Sequence, residues 1–187
     1  MSDIRNEKNK LRNEYILIRN KINNKNEKSK EIFNSIINTE LFKEAKTIAL
    51  YKSINSEVDT KELIKYSIDN GKIVVLPKVE GANLKFYKIN SIDEKLFKSK
   101  FGIKEPKGEI EKFIDNGIID LVIVPGICFD CRKNRLGFGK GYYDSFLKER
   151  DFKTIGICFD EQIVEKVPID NNDMQLKEII TDKRHIL

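Results

Sequence analysis

Short apolar runs alternating with stretches of helical periodicity set the tightest limit on how this chain can fold. Residues 47–51, 73–76, 84–89, 120–124 and 154–158 read as strands, with Pro77 and Pro125 ending two of them. Ile179 and Ile180 read as a last short strand. Helical patterns fill the gaps. Ile4, Leu11, Tyr15, Ile18 and Ile22 recur at helical spacing among charged residues, and a second helix is expected over about 27–37. Thr39 suits the N-cap of a short helix through Ala45. Leu63, Ile64 and Ile68 face inward on a helix that starts at Asp59 or Thr60 and stops at Gly71. Further helices are expected over 142–148 and 161–166.

Strands alternating with helices imply βαβ units, a mainly parallel sheet and helices on both of its faces. Such sheets bind ligands outside the carboxyl ends of their strands. The loops after Tyr51 and after Val124 both leave from such ends, so two separate motifs can meet over one edge of the sheet.

The bulk properties narrow the function. A chain of 187 residues suits one α/β domain, expected over 1–187. The net charge of +5 favours anionic ligands, but lysines are spread along the chain and interleaved with acids. Nucleic-acid binding, which calls for a clustered basic patch, is therefore not the expected role. Residues 1–30 are too charged for a secretory signal, and no run reaches the ~20 apolar residues of a membrane span. An odd count of three cysteines fits a reducing, cytoplasmic setting. No membrane partner is expected, and the expected state is a monomer.

The most informative stretch is Arg135-Leu136-Gly137-Phe138-Gly139-Lys140-Gly141-Tyr142-Tyr143-Asp144. Glycines at alternate positions permit positive φ and let successive backbone N–H groups turn toward an anion, helped by the start of the following helix. Arg135 and Lys140 add fixed positive charge, with arginine suited to bidentate phosphate contact and lysine to a point contact. Asp144 has the chemistry to hold Mg²⁺. The spacing is neither that of a P-loop nor that of the dinucleotide fingerprint. On residues alone two readings stand: a phosphate cradle, or a flexible loop whose tyrosine pair packs at a helix start.

Pro125-Gly126-Ile127-Cys128-Phe129-Asp130, followed by this glycine string, closely resembles the 5-formyltetrahydrofolate cyclo-ligase family, also called 5,10-methenyltetrahydrofolate synthetase. The resemblance implies a three-layer α/β/α fold with a mainly parallel, Rossmann-like sheet of the NagB/RpiA/CoA-transferase kind. It implies ATP-dependent cyclisation of 5-formyltetrahydrofolate, with ATP as co-substrate, Mg²⁺ as cofactor and a polyglutamate tail drawn to the basic surface. It places the ATP phosphates on residues 135–143, with Arg135 and Lys140 acting in catalysis, and Mg²⁺ on Asp144. Lys8-Asn9-Lys10-Leu11-Arg12 resembles the family's Lys-x-x-Leu-Arg motif, which implies ATP contacts for Lys8 and Arg12. On the residues alone, these two read first as an ordinary solvated helix face.

Asn55-Ser56-Glu57-Val58-Asp59-Thr60 resembles the family's folate segment, which puts Glu57 at the pterin; otherwise it is a carboxylate in a helix's first turn. Lys52 joins Glu57, Phe138, Gly139, Lys140, Gly141 and Tyr142 as substrate-binding residues. Asn171-Asn172-Asp173-Met174 resembles a stretch whose aspartate helps to hold Mg²⁺, which makes Asp173 the second metal candidate, or else part of a solvated turn. Leu76-Pro77-Lys78-Val79 and residues 101–106 resemble segments that shape the pocket. Lys133 departs from the family's usual glycine, and Asn134, which tolerates left-handed backbone, is expected to absorb the turn.

Cys128 and Cys131 form a C-x-x-C, but zinc needs about four ligands and only Cys158 and His185 remain. A metal or redox role is set aside, although nearby Arg and Lys are expected to favour thiolate. With one histidine, His185, expected to be exposed, a histidine-based acid–base mechanism is not expected.

Overall fold

The computed structural model describes residues 2–99 and 104–187. Helices α1 (Ser2–Lys21), α2 (Lys25–Asn38) and α3 (Glu40–Glu44) lead into β1 (Thr47–Ala49). Helix α4 (Lys61–Asp69) returns the chain to β2 (Ile73–Glu80), which turns directly into β3 (Asn83–Ile89). A ribbon of β4 (Phe97–Lys98) and β5 (Lys104–Glu105) precedes β6 (Phe113–Ile114). Then come β7 (Leu121–Val124), β8 (Cys128–Asp130), β9 (Arg135–Leu136), α5 (Tyr142–Leu147) and β10 (Lys153–Ile157). The chain closes with β11 (Ile163–Val164), β12 (Glu178–Ile180) and β13 (His185–Ile186).

The main sheet of the described residues runs β13-β12-β10-β7-β1-β2-β3-β6. Strands β12, β10, β7, β1 and β2 are mutually parallel. The edges β13, β3 and β6 are antiparallel additions. From β1 the chain steps one way to β2 and later the other way to β7, so the topological switch point lies between β1 and β7.

Alternate residues feed two cores. Ile48, Leu50, Leu121, Ile123, Ile155 and Ile157 pack with Ile32, Ile36, Phe42, Leu63 and Ile64 of α2–α4. Ala49, Val122, Val124 and Ile179 pack on the other face with Phe129, Phe146 and Leu147. Each large apolar side chain fully buried this way contributes roughly 1.5–3 kcal/mol. The expected three-layer α/β/α arrangement is therefore present. The second layer is thin, because α5 has only six residues. Phe86, Phe146 and Phe152 thicken it, with ring centroids 4.7 and 4.5 Å apart.

Several expected boundaries hold. Thr39 Oγ1 accepts from the Phe42 N–H at 3.1 Å, and Gly71 ends α4 with φ 75°. Others need correction. Strand β2 runs through Pro77 rather than ending there. Pairing with β1 stops at Val75, whose carbonyl accepts from Leu50. Backbone direction alternates along a strand, so Pro77 points its missing N–H to the side that β1 has vacated, an edge position that tolerates proline.

The expected helix over 161–166 is a single 3₁₀ turn, Asp160–Gln162, followed by β11. The Phe159 N–H donates to Gln162 Oε1 at 3.0 Å, while Gln162 Nε2 donates to the Ile127 carbonyl at 2.7 Å. The β-branched pair Ile163 and Val164 then joins β8 in a small second sheet, β11-β8-β9. Ile179 and Ile180 are not the last strand, since β13 follows them.

The turn between β8 and β9 is organised by the buried Asp130. Its Oδ1 accepts from the N–H groups of Arg132 (2.9 Å) and Asn134 (3.0 Å), and its Oδ2 from Val167 N–H (2.9 Å). The left-handed residue is Lys133, with φ 67°, not Asn134 as expected. Asp130 fixes the turn on both sides of position 133, so the residue there must adopt positive φ. A lysine bears roughly 1–2 kcal/mol of strain at such a position that glycine would not. Of the pocket-shaping segment expected at 101–106, residues 101–103 lie outside the described residues.

Candidate active site

The loop that leaves β7 is built around one buried arginine. Arg135 comes off β9, donates from Nη2 to Asp144 Oδ1 at 2.8 Å and from Nη1 to the Pro125 carbonyl at 3.3 Å, and lies 5.7 Å from the Tyr143 ring centre. Its Nε is buried without a hydrogen-bond partner among the described residues. Glycines make room for it: a Cβ at Gly137 would fall 2.5 Å from Arg135 Nη1, and one at Gly126 would fall 2.5 Å from the Phe129 ring.

Gly139 and Gly141 are left-handed, with φ of 84° and 71°, as the phosphate-cradle reading requires. Helix α5 is too short for its dipole to dominate, so the loop amides and cations carry the attraction for an anion. Lys140 stands exposed between these glycines, with no ion pair or hydrogen bond among the described residues. Phe138 is also exposed. Tyr142 and Tyr143 pack against the second core, and Leu136 buries its side chain with Cys128, Val164 and Val167. Their side chains support the loop, and in this respect the alternative reading of a packed tyrosine pair is also met.

Helix α1 lies across the loop. Lys8, Arg12 and Arg19 are spaced four and seven residues apart, which puts them on one face. Lys8 is buried, with Nζ 2.7 Å from Asp170 Oδ2 and 2.5 Å from Asp173 Oδ2, so it is not a solvated surface lysine. Arg12 donates from Nε to the Gly137 carbonyl at 2.8 Å, and its Cζ would sit 3.1 Å from a Cβ on Gly139.

The two expected metal carboxylates are thus each held by an expected phosphate cation. Asp144 pairs with Arg135, and Asp173 with Lys8. The Met174 N–H reaches Asp144 Oδ1 at 3.4 Å, which brings residues 170–174 against the glycine loop. No group of three or more His, Cys, Asp or Glu residues fit for a metal occurs among the described residues. Two carboxylates nevertheless suit Mg²⁺, which completes its shell with phosphate oxygens and water.

Glu57 comes from the loop after β1. That loop is fixed by Thr60 Oγ1 donating to the Tyr51 carbonyl (2.7 Å) and by Asp59 N–H donating to Ser29 of α2 (3.0 Å). Glu57 lies four residues ahead of α4, so it is not a first-turn carboxylate. Burial raises its pKa, against the Ile54 N–H (3.0 Å from Oε2) and Arg19 (Nη1 3.9 Å from Oε1), which lower it. Half-buried Lys52 has its pKa lowered by desolvation, partly offset by Asp59.

Arg19 was not legible as a site residue. Its guanidinium lies 5.8 Å from the Phe138 ring centre, so one side chain touches both the glycine loop and the Glu57 loop. A signal existed in its seven-residue spacing from Arg12, but a charge on a basic helix reads first as solvated.

The cysteines give a correction. Burial pushes the Cys128 thiol up to about 12, so neighbouring cations do not make it a thiolate. Cys131 is exposed, and Cys158 is buried with its pKa raised in the same way. His185 is exposed as expected, 2.7 Å from Glu178.

The 5-formyltetrahydrofolate cyclo-ligase family profile matches residues 4–182. The chain belongs to this family. It is 35% identical to a "Probable 5-formyltetrahydrofolate cyclo-ligase" of Schizosaccharomyces pombe, over 78% of this chain and 79% of that one. It is 33% identical to the mouse "5-formyltetrahydrofolate cyclo-ligase", over 74% of each. Among solved structures, it resembles the Aquifex aeolicus 5,10-methenyltetrahydrofolate synthetase with a TM-score of 0.83 and 32% identity, covering 95% of this chain and 91% of that one. The glycine loop follows β9, and Arg19 links it to the Glu57 loop.

Proposed function

We propose that this chain, acting as one domain over residues 1–187, converts 5-formyltetrahydrofolate to 5,10-methenyltetrahydrofolate with consumption of ATP. The observation that carries this reading is that Arg19 contacts both the glycine loop at Phe138 and the Glu57 loop, at the carboxyl ends of β1 and β7. In this reading a phosphate site and a pterin site adjoin.

The formyl oxygen on folate N5 is a poor leaving group. Transfer of the γ-phosphoryl group of ATP to that oxygen makes it a phosphate ester. N10 then attacks the formyl carbon and loses its proton, the C–O bond breaks, and phosphate leaves with the ring closed. The protein's task is to position the partners and neutralise charge. The 137–141 amides, Lys140, Arg135, Arg12 and Lys8 hold the triphosphate in this reading. Glu57, with Lys52 beside the same loop, accepts from the pterin N–H edge. Asp144 and Asp173 would hold Mg²⁺, which offsets charge on the transferred phosphoryl group.

The proposal is of a monomer whose basic surface attracts a polyglutamate tail. Three cysteines without disulfides fit a reducing, cytoplasmic setting. No helix of the described residues is long and apolar enough to cross a membrane.

The test is the absorbance of the methenyl product, with purified protein, 5-formyltetrahydrofolate and Mg²⁺, with and without ATP. Product forming only with ATP is expected. No product with ATP, or the same rate without it, contradicts the reading.

A further inference from the structure

We infer that Arg19 is a positioning residue that sets the charge and place of Glu57 and locks the folate loop in register with the glycine loop. This inference rests on the proposed cyclo-ligase reading. Arg19 is almost fully buried, at 4% exposure. Its Nε donates to Ser56 Oγ at 3.2 Å, and Ser56 in turn donates to Asn20 Oδ1 at 2.6 Å. Its Nη1 reaches the Gly126 carbonyl at 3.5 Å and lies 3.9 Å from Glu57 Oε1. The Phe138 ring caps the guanidinium. Three loops therefore converge on one side chain that sits on a fourth element, α1.

A buried guanidinium needs a counter-charge, because neutral oxygens do not offset its lost hydration. Ser56 and Gly126 are neutral, and Glu57 supplies the carboxylate. The dependence is mutual. Burial favours the neutral acid at Glu57, and Arg19 is the charge that opposes it. Tyr51 and Tyr143 are the other titratable groups that interact with Glu57, and burial raises both phenols, so they stay neutral. Lys and Met do not replace this arginine equally. Lysine keeps the charge but loses the fork that spans Ser56, Gly126 and Glu57.

Removing the Arg19 charge moves the Glu57 pKa further up, because burial already raises it and the nearby guanidinium is the charge that favours the carboxylate. A larger share of Glu57 is then protonated at mildly acidic pH, and a protonated acid is the poorer acceptor for the pterin N–H groups. Folate binding weakens on the acid side and recovers as pH rises.

The test compares wild type, Arg19→Met, Arg19→Lys and Arg19→Met in a Glu57→Gln background, from about pH 5 to pH 9. For Arg19→Met, the folate KM is expected to rise ~10-fold or more on the acid side and to recover with pH, while the ATP KM stays within about 2-fold. Arg19→Lys should keep the wild-type pH profile. In the Glu57→Gln background the pH dependence added by Arg19→Met should vanish. The Glu57 carboxyl titration, followed by NMR, should move to higher pH in Arg19→Met. A pH-independent loss shared by folate and ATP, with an unmoved Glu57 midpoint, would overturn the inference. Failure of the cyclo-ligase reading shows up separately, as a wild type without product, and the NMR midpoint then still decides whether Arg19 governs Glu57.

Discussion

Lys140→Ala lowers methenyl product formation by ~10²–10³-fold, the usual loss for one group that stabilises developing charge, and leaves stability within about 0.5 kcal/mol of wild type. The two halves of this expectation have different sources. Lys140 is exposed and makes no ion pair or hydrogen bond among the described residues, so nothing in the fold depends on it. It nevertheless stands between two left-handed glycines, in a loop with glycine at every second position. The other cations expected at the phosphates are committed. Lys8 holds Asp173, Arg12 holds the Gly137 carbonyl and Arg135 holds Asp144. In the proposed reading, Lys140 would meet a phosphate without first giving up a partner among the described residues. The loss should appear in kcat and kcat/KM together, the mark of an interaction made mainly in the transition state. An unchanged rate at saturating ATP and folate, in a folded variant, would count against the role.

Arg135→Met is expected to do the opposite to stability: a loss of about 3 kcal/mol, the low end for breaking a buried pair, together with loss of activity. The low end applies because the Asp144 side chain is 20% exposed while that of Arg135 is 4% exposed. Removing the guanidinium strands Asp144 beside the second core and empties the space that Gly137 was selected to leave. For a chain of this size the thermal midpoint should fall by ~6–12 °C. Arg135→Met with Asp144→Asn should regain part of that loss, because no charge is stranded, yet remain inactive. A double variant as unstable as the single one would place the stabilisation in packing rather than in the pair. Calorimetric melting of the three proteins settles the matter.

The parts of the fold legible in the sequence were those whose burial leaves a pattern. Val122 and Ile123 face opposite cores, so β7 had to be apolar throughout, and such a run is visible. The glycine loop was legible because Gly139 and Gly141 need positive φ and Gly137 needs the absence of a Cβ. Strands β8, β9 and β11 were not, because two or three residues carry no period and their pairing depends on the Asp130 turn. Pro77 misled because a proline stops a central strand, and nothing local showed that β1 ends before it.

In the site, residue types were legible and partnerships were not. That Lys8 meets Asp173, 165 residues away, or that Arg19 links Glu57 to Phe138, follows only from the way α1 lies over the sheet edge.

In the proposed reading, the glycine loop beside Glu57 grips a triphosphate. A crystal structure with a non-hydrolysable ATP analogue and Mg²⁺ tests it most directly. Phosphates are expected on the amides of residues 137–141, with Lys140 and Arg12 on their oxygens. A well-ordered triphosphate bound elsewhere, with this loop left empty, would contradict it.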